Sequence, residues 1–154
     1  MEHKRSDFEI MAPVGSYESL MAAIEAGANS VYFGIENLNM RSRSASNFTT
    51  DDLREIVKIC RENNIKSYLT VNTVIYNDDL DMMRKIIDTA KEVEVSAIIA
   101  ADVAAMLYAY KVGVEVHLST QLNIANVDAL KFYSQYADVV VLASPLYYWF
   151  ISGF

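Results

Sequence analysis

The chain alternates short apolar runs, rich in β-branched and aromatic residues, with longer segments of helical period. This alternation is typical of repeated βα units around a parallel sheet. The runs are FEIMAP at 8–13, SVYFG at 30–34, KSYLTVNTVI at 66–75, SAIIAAD at 96–102, VEVHLSTQLNIAN at 114–126 and DVVVLAS at 138–144. The sequence therefore predicts an α/β fold, a partial TIM-like (β/α) barrel of about six parallel βα units.

The segments between these runs carry helix start and stop signals. Small polar residues precede the helical segments, where their side chains can accept a hydrogen bond from the first turn, and glycines follow two of them. The expected N-caps are Ser16, Thr49 or Thr50, Asn77 or Asp78, and Asn126, and the expected stops are Gly27 and Gly113.

Composition favours one soluble domain. The 154 residues are 53% hydrophobic, and no low-complexity linker divides them, so we expect a single incomplete βα-barrel domain over 1–154 with an atypical apolar tail at 144–154. One cysteine and a charged start without an apolar signal core favour a cytoplasmic location. A net charge of -7 argues against strong nucleic-acid binding. The apolar stretch 139–154 is shorter than the ~20 residues of a membrane span, so no membrane insertion is expected.

Polar side chains gather where the predicted strands end. Successive strand residues face opposite sides, so His117, Ser119 and Gln121 should point into the barrel while Val116 and Leu118 face the helices. Active sites of barrels lie at the carboxyl ends of the strands. The same rim should also hold Gly15 and Ser16 after the first strand, Asn72 and Thr73 after the third, and Asp102 after the fourth.

The candidate catalytic residues are His117, Asp102 and Ser119. They contain the atom types of a nucleophile set, yet His and Ser two apart on one strand are about 7 Å apart at the backbone, which is loose for direct activation. His117 could instead be a hydrogen-bonded interior residue, and Asp102 only a helix cap. Arg41 and Arg43, in the long loop after the second strand, are candidate substrate ligands or solvated loop charges. No metal site is predicted.

Four motifs in order resemble the N-terminal part of the collagenase-like peptidases, peptidase family U32. They are MAPVGSYESLMAAIEAGANSVYFG, NFTTDDLREIV, YLTVNTVIYNDDL and VHLSTQLNIANVDALKFY, and the resemblance runs from about Glu9 to Ala143. It implies a barrel-like fold and a peptide-hydrolysing activity. Some members of the family are similar to proteins that hydroxylate tRNA or rRNA bases or take part in ubiquinone hydroxylation. The family pattern falls on Gly15, Ser16, Asn72, Thr73, His117, Ser119, Thr120, Gln121 and Asn123.

The resemblance also implies an iron-sulfur cluster on cysteines further along the chain, which this sequence lacks, so no cofactor is expected here. After Ala143 the family pattern is lost and the chain reads SPLYYWFISGF. We therefore expect a peptidase-family fragment with a substrate-binding rim for a peptide. The alternatives are a part of an RNA-base or ubiquinone hydroxylation protein, or a remnant that binds without turnover.

Assembly is the first testable expectation. Six strands cannot close an eight-stranded barrel, and the tail LYYWFISGF at 146–154 is apolar on all sides, with Trp149 as the largest ring. We expect a homodimer or larger oligomer that buries the sheet edges, the tail or both. Light scattering at micromolar concentration measures the mass. A monomer mass for the chain both with and without the tail would contradict this expectation.

Overall fold

The computed structural model describes residues 8–36, 38 and 48–142. The strands are β1 (Met11–Pro13), β2 (Ser30–Gly34), β3 (Lys66–Val71), β4 (Ala97–Ala100), β5 (Val116–Leu118) and β6 (Val139–Val140). The helices are α1 (Tyr17–Glu25), α2 (Thr50–Glu62), α3 (Leu80–Glu92), α4 (Val103–Val112) and α5 (Val127–Tyr133), with 3₁₀ turns at Asn77–Asp79 and Thr120–Leu122. Arg41, Arg43 and the tail at 144–154 lie outside the described residues.

The six strands form one sheet in the order β1-β2-β3-β4-β5-β6, and every neighbouring pair is parallel. The predicted fold is confirmed: the sheet and its helices form part of a βα barrel. The strands are shorter than the apolar runs. β3, for example, ends at Val71 rather than Ile75, because its pairing with β4 ends where Val71 lies opposite Ala100.

Strand alternation separates two packing environments. Residues such as Val31, Leu69 and Val116 point outward into the large apolar cluster that the helices cover, and each is completely buried. Burial of a side chain of this size stabilises the fold by about 1.5–3 kcal/mol. The inner side holds a smaller cluster of Tyr68, Ala97 and Ile99, with Tyr32 packed against it. The inner face of the sheet is therefore the side on which polar groups can be placed.

The capping predictions hold at three of the four helices for which the sequence names a cap, and Asp102, left open as a cap by the sequence, also caps a helix. Ser16 and Thr49 each form a reciprocal capping box, Asn126 accepts a hydrogen bond from the Ala129 amide, and Asp102 caps α4. The prediction for α3 was wrong. Asn77 and Asp78 lie within a 3₁₀ turn that precedes this helix, and Asp79 occupies the N-cap position, with its carboxylate accepting from the Tyr76 amide instead.

No helix among the described residues is long and apolar enough to cross a membrane.

The Thr49 cap provides a stability test. Its hydroxyl lies 3.2 Å from the Asp52 amide nitrogen, and the Asp52 carboxylate accepts from the Thr49 amide at 2.8 Å. Thr49→Ala should lower the free energy of unfolding by about 1 kcal/mol, because the first turn of α2 loses a bonded partner. Urea denaturation measures the change. Thr89→Ala, inside α3, is the matched control, and an equal effect of the two substitutions would show that the cap does not contribute.

Candidate functional site

A concave pocket of about 330 Å³ lies on the inner face of the sheet, toward the carboxyl ends of the strands. We call it the inner-face pocket. Every one of the six strands, or the segment directly after it, contributes to its wall. It is lined by Met11, Val14, Tyr32, Phe33, Gly34, Thr70, Asn72, Ile99, Ser119, Thr120, Gln121 and Val141. Pockets of this size and mixed polarity, at the carboxyl ends of barrel strands, are the usual place for a substrate.

The segment after β5 supplies the largest block of polar lining. The Ser119 hydroxyl accepts a weak hydrogen bond from the Gln121 amide at 3.4 Å, and Ser119 is thereby the N-cap of the 3₁₀ turn. Asn123 ends the turn in a left-handed conformation with φ of 50°, a region that Asn tolerates better than most residues. Its side-chain amide donates to the Gln121 carbonyl at 3.3 Å. This turn places Ser119, Thr120 and Gln121 together on the pocket wall.

Thr70 and Asn72 bring polar atoms from β3 to the opposite wall. Thr70 is buried, and its hydroxyl donates to the Phe33 carbonyl of β2 at 3.0 Å. Asn72 follows the end of β3 on the same face, two positions further along the chain. The two walls therefore face each other across an apolar floor that includes Ile99.

His117 lies on the predicted inner face but is absent from the described pocket lining. Its ring packs against the Tyr68 ring with centroids 4.7 Å apart. Its Nε2 atom is 2.7 Å from a Glu115 carboxylate oxygen, at the amino end of β5. The imidazole is thus bonded toward the opposite end of the strand from Ser119, and the two side chains do not form a nucleophile-base pair in this conformation.

Both carboxylate oxygens of Asp102 accept hydrogen bonds from backbone amides. One accepts from Ala104 at 2.8 Å and caps α4, and the other accepts from Ile75 at 3.2 Å in the segment after β3. The side chain therefore ties two neighbouring βα loops together. This arrangement is the capping role left open by the sequence, and Asp102 is not among the pocket residues.

The structure brings four predicted rim residues into the inner-face pocket: Asn72, Ser119, Thr120 and Gln121. Gly15, Ser16, Thr73 and Asn123 lie near the same ends of the strands but do not line it. Ser16 caps α1, and the Gly15 amide donates to the Ser19 hydroxyl. The catalytic and binding roles of all these residues, and of His117 and Asp102, stay predictions.

Sequence reasoning missed Tyr32, Gly34 and Thr70. Strand alternation could have found Thr70, since it lies two positions before Asn72 on the same face. Tyr32 and Gly34 follow from the register of the sheet, in which they pair with Tyr68 and Thr70. That register is not visible in one sequence.

A second polar group lies at the amino ends of the strands, below the pocket. Glu9 accepts hydrogen bonds from the Tyr68 hydroxyl at 2.6 Å and from the Lys66 ammonium at 2.8 Å. Partial burial raises the pKa of Glu9, but hydrogen bonds from Lys66 and Tyr68 outweigh it and lower the pKa to about 2. Burial, and then the Glu9 carboxylate, raise the pKa of Tyr68 to about 12. We call Glu9, Lys66, Tyr68, Glu115 and His117 the lower polar cluster.

Cys60 does not fit the iron-sulfur chemistry implied by the resemblance. It is the single cysteine of the sequence and lies on the core side of α2, 1% exposed. Burial raises the pKa of its thiol to about 11, which disfavours the thiolate that binds iron. One buried thiol cannot provide the several ligands of a cluster.

Parallel strands in sequential order, helices on the outer side and a pocket at the carboxyl ends define the class of βα-barrel proteins. The sequence specifies the group within that class, because the family model of peptidase family U32 matches residues 15–148. The chain belongs to peptidase family U32. The resemblance carried by the four motifs is thereby confirmed.

Individual relatives differ in their named activities. The collagenase of Porphyromonas gingivalis strain W83 is 71% identical over 141 residues, 92% of this chain and 34% of that protein. The tRNA hydroxylation protein P1 of Bacillus subtilis is 34% identical over 138 residues, 88% of this chain and 32% of that protein. The solved U32 peptidase Mk0906 matches with a TM-score of 0.73 at 14% identity, over 92% of this chain and 61% of that one. The chain thus spans about a third of the length of these curated relatives.

The Glu9 contacts predict a pH dependence of stability. The folded-state pKa of Glu9 is about 2, below its ordinary value of 4.5, so its ion pair stabilises the fold above pH 4.5 and this contribution is lost as the pH falls toward 2. Glu9→Gln should therefore lower the urea midpoint at pH 6 and leave a smaller difference from the unsubstituted chain at pH 3. Glu62→Gln, on the exposed surface of α2, is the control. A Glu9→Gln deficit of equal size at both pH values would contradict the assignment.

Proposed function

We propose that this chain forms the substrate-binding part of the barrel of a U32 peptidase and that its substrate is a peptide. The observation that carries the proposal is the inner-face pocket, to which all six strands or the segments after them contribute at the carboxyl ends. The P. gingivalis relative with 71% identity is named a collagenase, which supports peptide hydrolysis over other reactions.

The described residues are suited to binding and orienting a substrate. Thr70, Asn72, Ser119, Thr120 and Gln121 offer hydroxyl and amide groups that can hydrogen bond a peptide backbone, and the apolar lining can hold a side chain. Ser119 lacks an adjacent base among these residues, since His117 is bonded to Glu115. We therefore assign binding to this part of the barrel, and the activation of the attacking group to residues other than these.

RNA-base hydroxylation is the second candidate function. The observation that favours it is the B. subtilis relative, named a tRNA hydroxylation protein, which matches 88% of the chain. The net charge of -7 weighs against it, because an RNA partner favours a basic surface. In this alternative the inner-face pocket would receive a base.

A chimera tests the peptidase proposal in a full-length protein. Residues 8–142 replace the matching segment of the P. gingivalis collagenase, and gelatin cleavage is measured. The chimera should cleave gelatin, whereas the isolated chain should show little or no turnover. In the chimera, Gln121→Ala should lower kcat/KM about 3- to 10-fold, the effect of one lost hydrogen bond. Gln135→Ala removes the same side chain outside the pocket and should have no effect.

The outcomes separate the two functions. An inactive but folded chimera, or equal effects of the Gln121 and Gln135 substitutions, would contradict the peptidase proposal. The same segment is also placed in the B. subtilis tRNA hydroxylation protein, in cells that lack the native copy. Mass spectrometry of tRNA then reports hydroxylation, and recovery of the modification without gelatin cleavage would favour the second candidate.

A further inference from the structure

The inner-face pocket is uncharged over the part of its wall that the structure describes. Its polar side chains are the phenol of Tyr32, the hydroxyls of Thr70, Ser119 and Thr120, and the amides of Asn72 and Gln121, and the rest of the lining is apolar or glycine. The chain as a whole is 21% charged, so a neutral wall drawn from six strands is a specific property of this site.

The carboxylates that follow neighbouring strands are bonded to other groups. Glu36, after β2, accepts from the amide and the hydroxyl of Thr50 at 3.2 and 3.3 Å. Asp102, after β4, is held by the Ala104 and Ile75 amides. Neither residue lines the pocket, so they provide no partner there for a cationic ligand.

Helix N-termini at the same ends of the strands could attract an anion, but side chains at their N-caps already accept hydrogen bonds from the amides of the first turn. Ser16, Thr49, Asp102 and Asn126 each accept a hydrogen bond from an amide in the first turn of the following helix. Three of these helices carry acidic residues in the first turn as well: Glu18 in α1, the pair Asp51 and Asp52 in α2, and Asp128 in α5. An anion at this rim would therefore meet capped amides and like charges.

We propose that the inner-face pocket selects an uncharged, hydrogen-bonding group of the substrate and rejects both carboxylates and cations. This inference rests on the proposed binding function and specifies its ligand chemistry: a neutral amide or a comparable group with an apolar body. The side-chain amide of Gln121 can both donate and accept, which matches such a group. The apolar floor at Ile99 packs against the remainder.

Desolvation provides the selectivity. A charged group that enters a pocket without a counter-charge loses hydration that the wall does not replace, whereas a neutral amide exchanges water for hydrogen bonds of similar strength. We expect a neutral ligand to bind at least about 10-fold more tightly than a charged ligand of the same shape.

Three probes of nearly one shape test the charge preference on the 154-residue chain itself. Benzamide is neutral, benzoate is an anion and benzamidine is a cation at pH 7. Each is titrated while nuclear magnetic resonance follows the Thr70, Ile99 and Gln121 signals. The expected result is that benzamide shifts these signals with a Kd at least about 10-fold below those of the other two. Equal or tighter binding of benzoate or benzamidine, or no binding of benzamide at these residues, would overturn the proposal.

A charge-reversal variant adds a second readout. Gln121→Lys places a cation on the pocket wall and should make benzoate the preferred probe, whereas Gln135→Lys, with the same change outside the pocket, should leave the preference for benzamide unchanged. A reversal in both variants, or in neither, would overturn the assignment. If Gln121→Lys does not fold, the three-probe comparison on the unsubstituted chain decides alone.

These measurements are independent of turnover. A chimera that fails to cleave gelatin while the chain still prefers benzamide would remove the peptidase proposal and leave the neutral pocket in place. Gelatin cleavage by the chimera together with a preference of the chain for benzoate would support the peptidase proposal and remove the neutral pocket.

Discussion

The alternation of side chains along parallel strands is the constraint on which the rest of the structure depends. Because both faces of this sheet are used, each strand must place apolar residues toward the helices at every second position. Val31, Leu69 and Val116 fulfil this role and are completely buried. The intervening positions supply the strand residues of the pocket wall on one half of the inner face and of the lower polar cluster on the other.

The two ends of the strands consequently differ in chemistry. At the carboxyl ends the described lining is neutral and forms an open pocket. At the amino ends, Glu9, Lys66 and Glu115 are charged and bonded to one another or to Tyr68 and His117. Paired charges at the amino face tie strands together, as stabilising residues of barrels do, whereas the carboxyl face carries neutral amides and hydroxyls that can hydrogen bond a ligand.

Sequence patterns predicted the strand order, the helix caps at Ser16, Thr49 and Asn126, and the grouping of Asn72 with Gln121 at one rim. These features depend on local periodicity and on short capping motifs. The inner face of His117 was predicted, but the direction of its ring toward the amino end of β5 could not be, because it is decided by contacts with Glu115 and with Tyr68 of β3. The sequence did not predict Thr70 as a pocket residue, because it lies inside an apolar run and its hydrogen-bond partner, the Phe33 carbonyl, belongs to another strand.

The sequential order of the strands has a consequence for how the chain acquires its structure. Each strand from β2 onward pairs with the strand that precedes it in the chain, so no pairing has to wait for a distant segment. Each strand pairing therefore closes a loop of one βα unit, which costs less chain entropy than pairing with a more distant strand would. During translation each βα unit can dock on the sheet already formed, and the growing edge is exposed only until the next strand emerges from the ribosome.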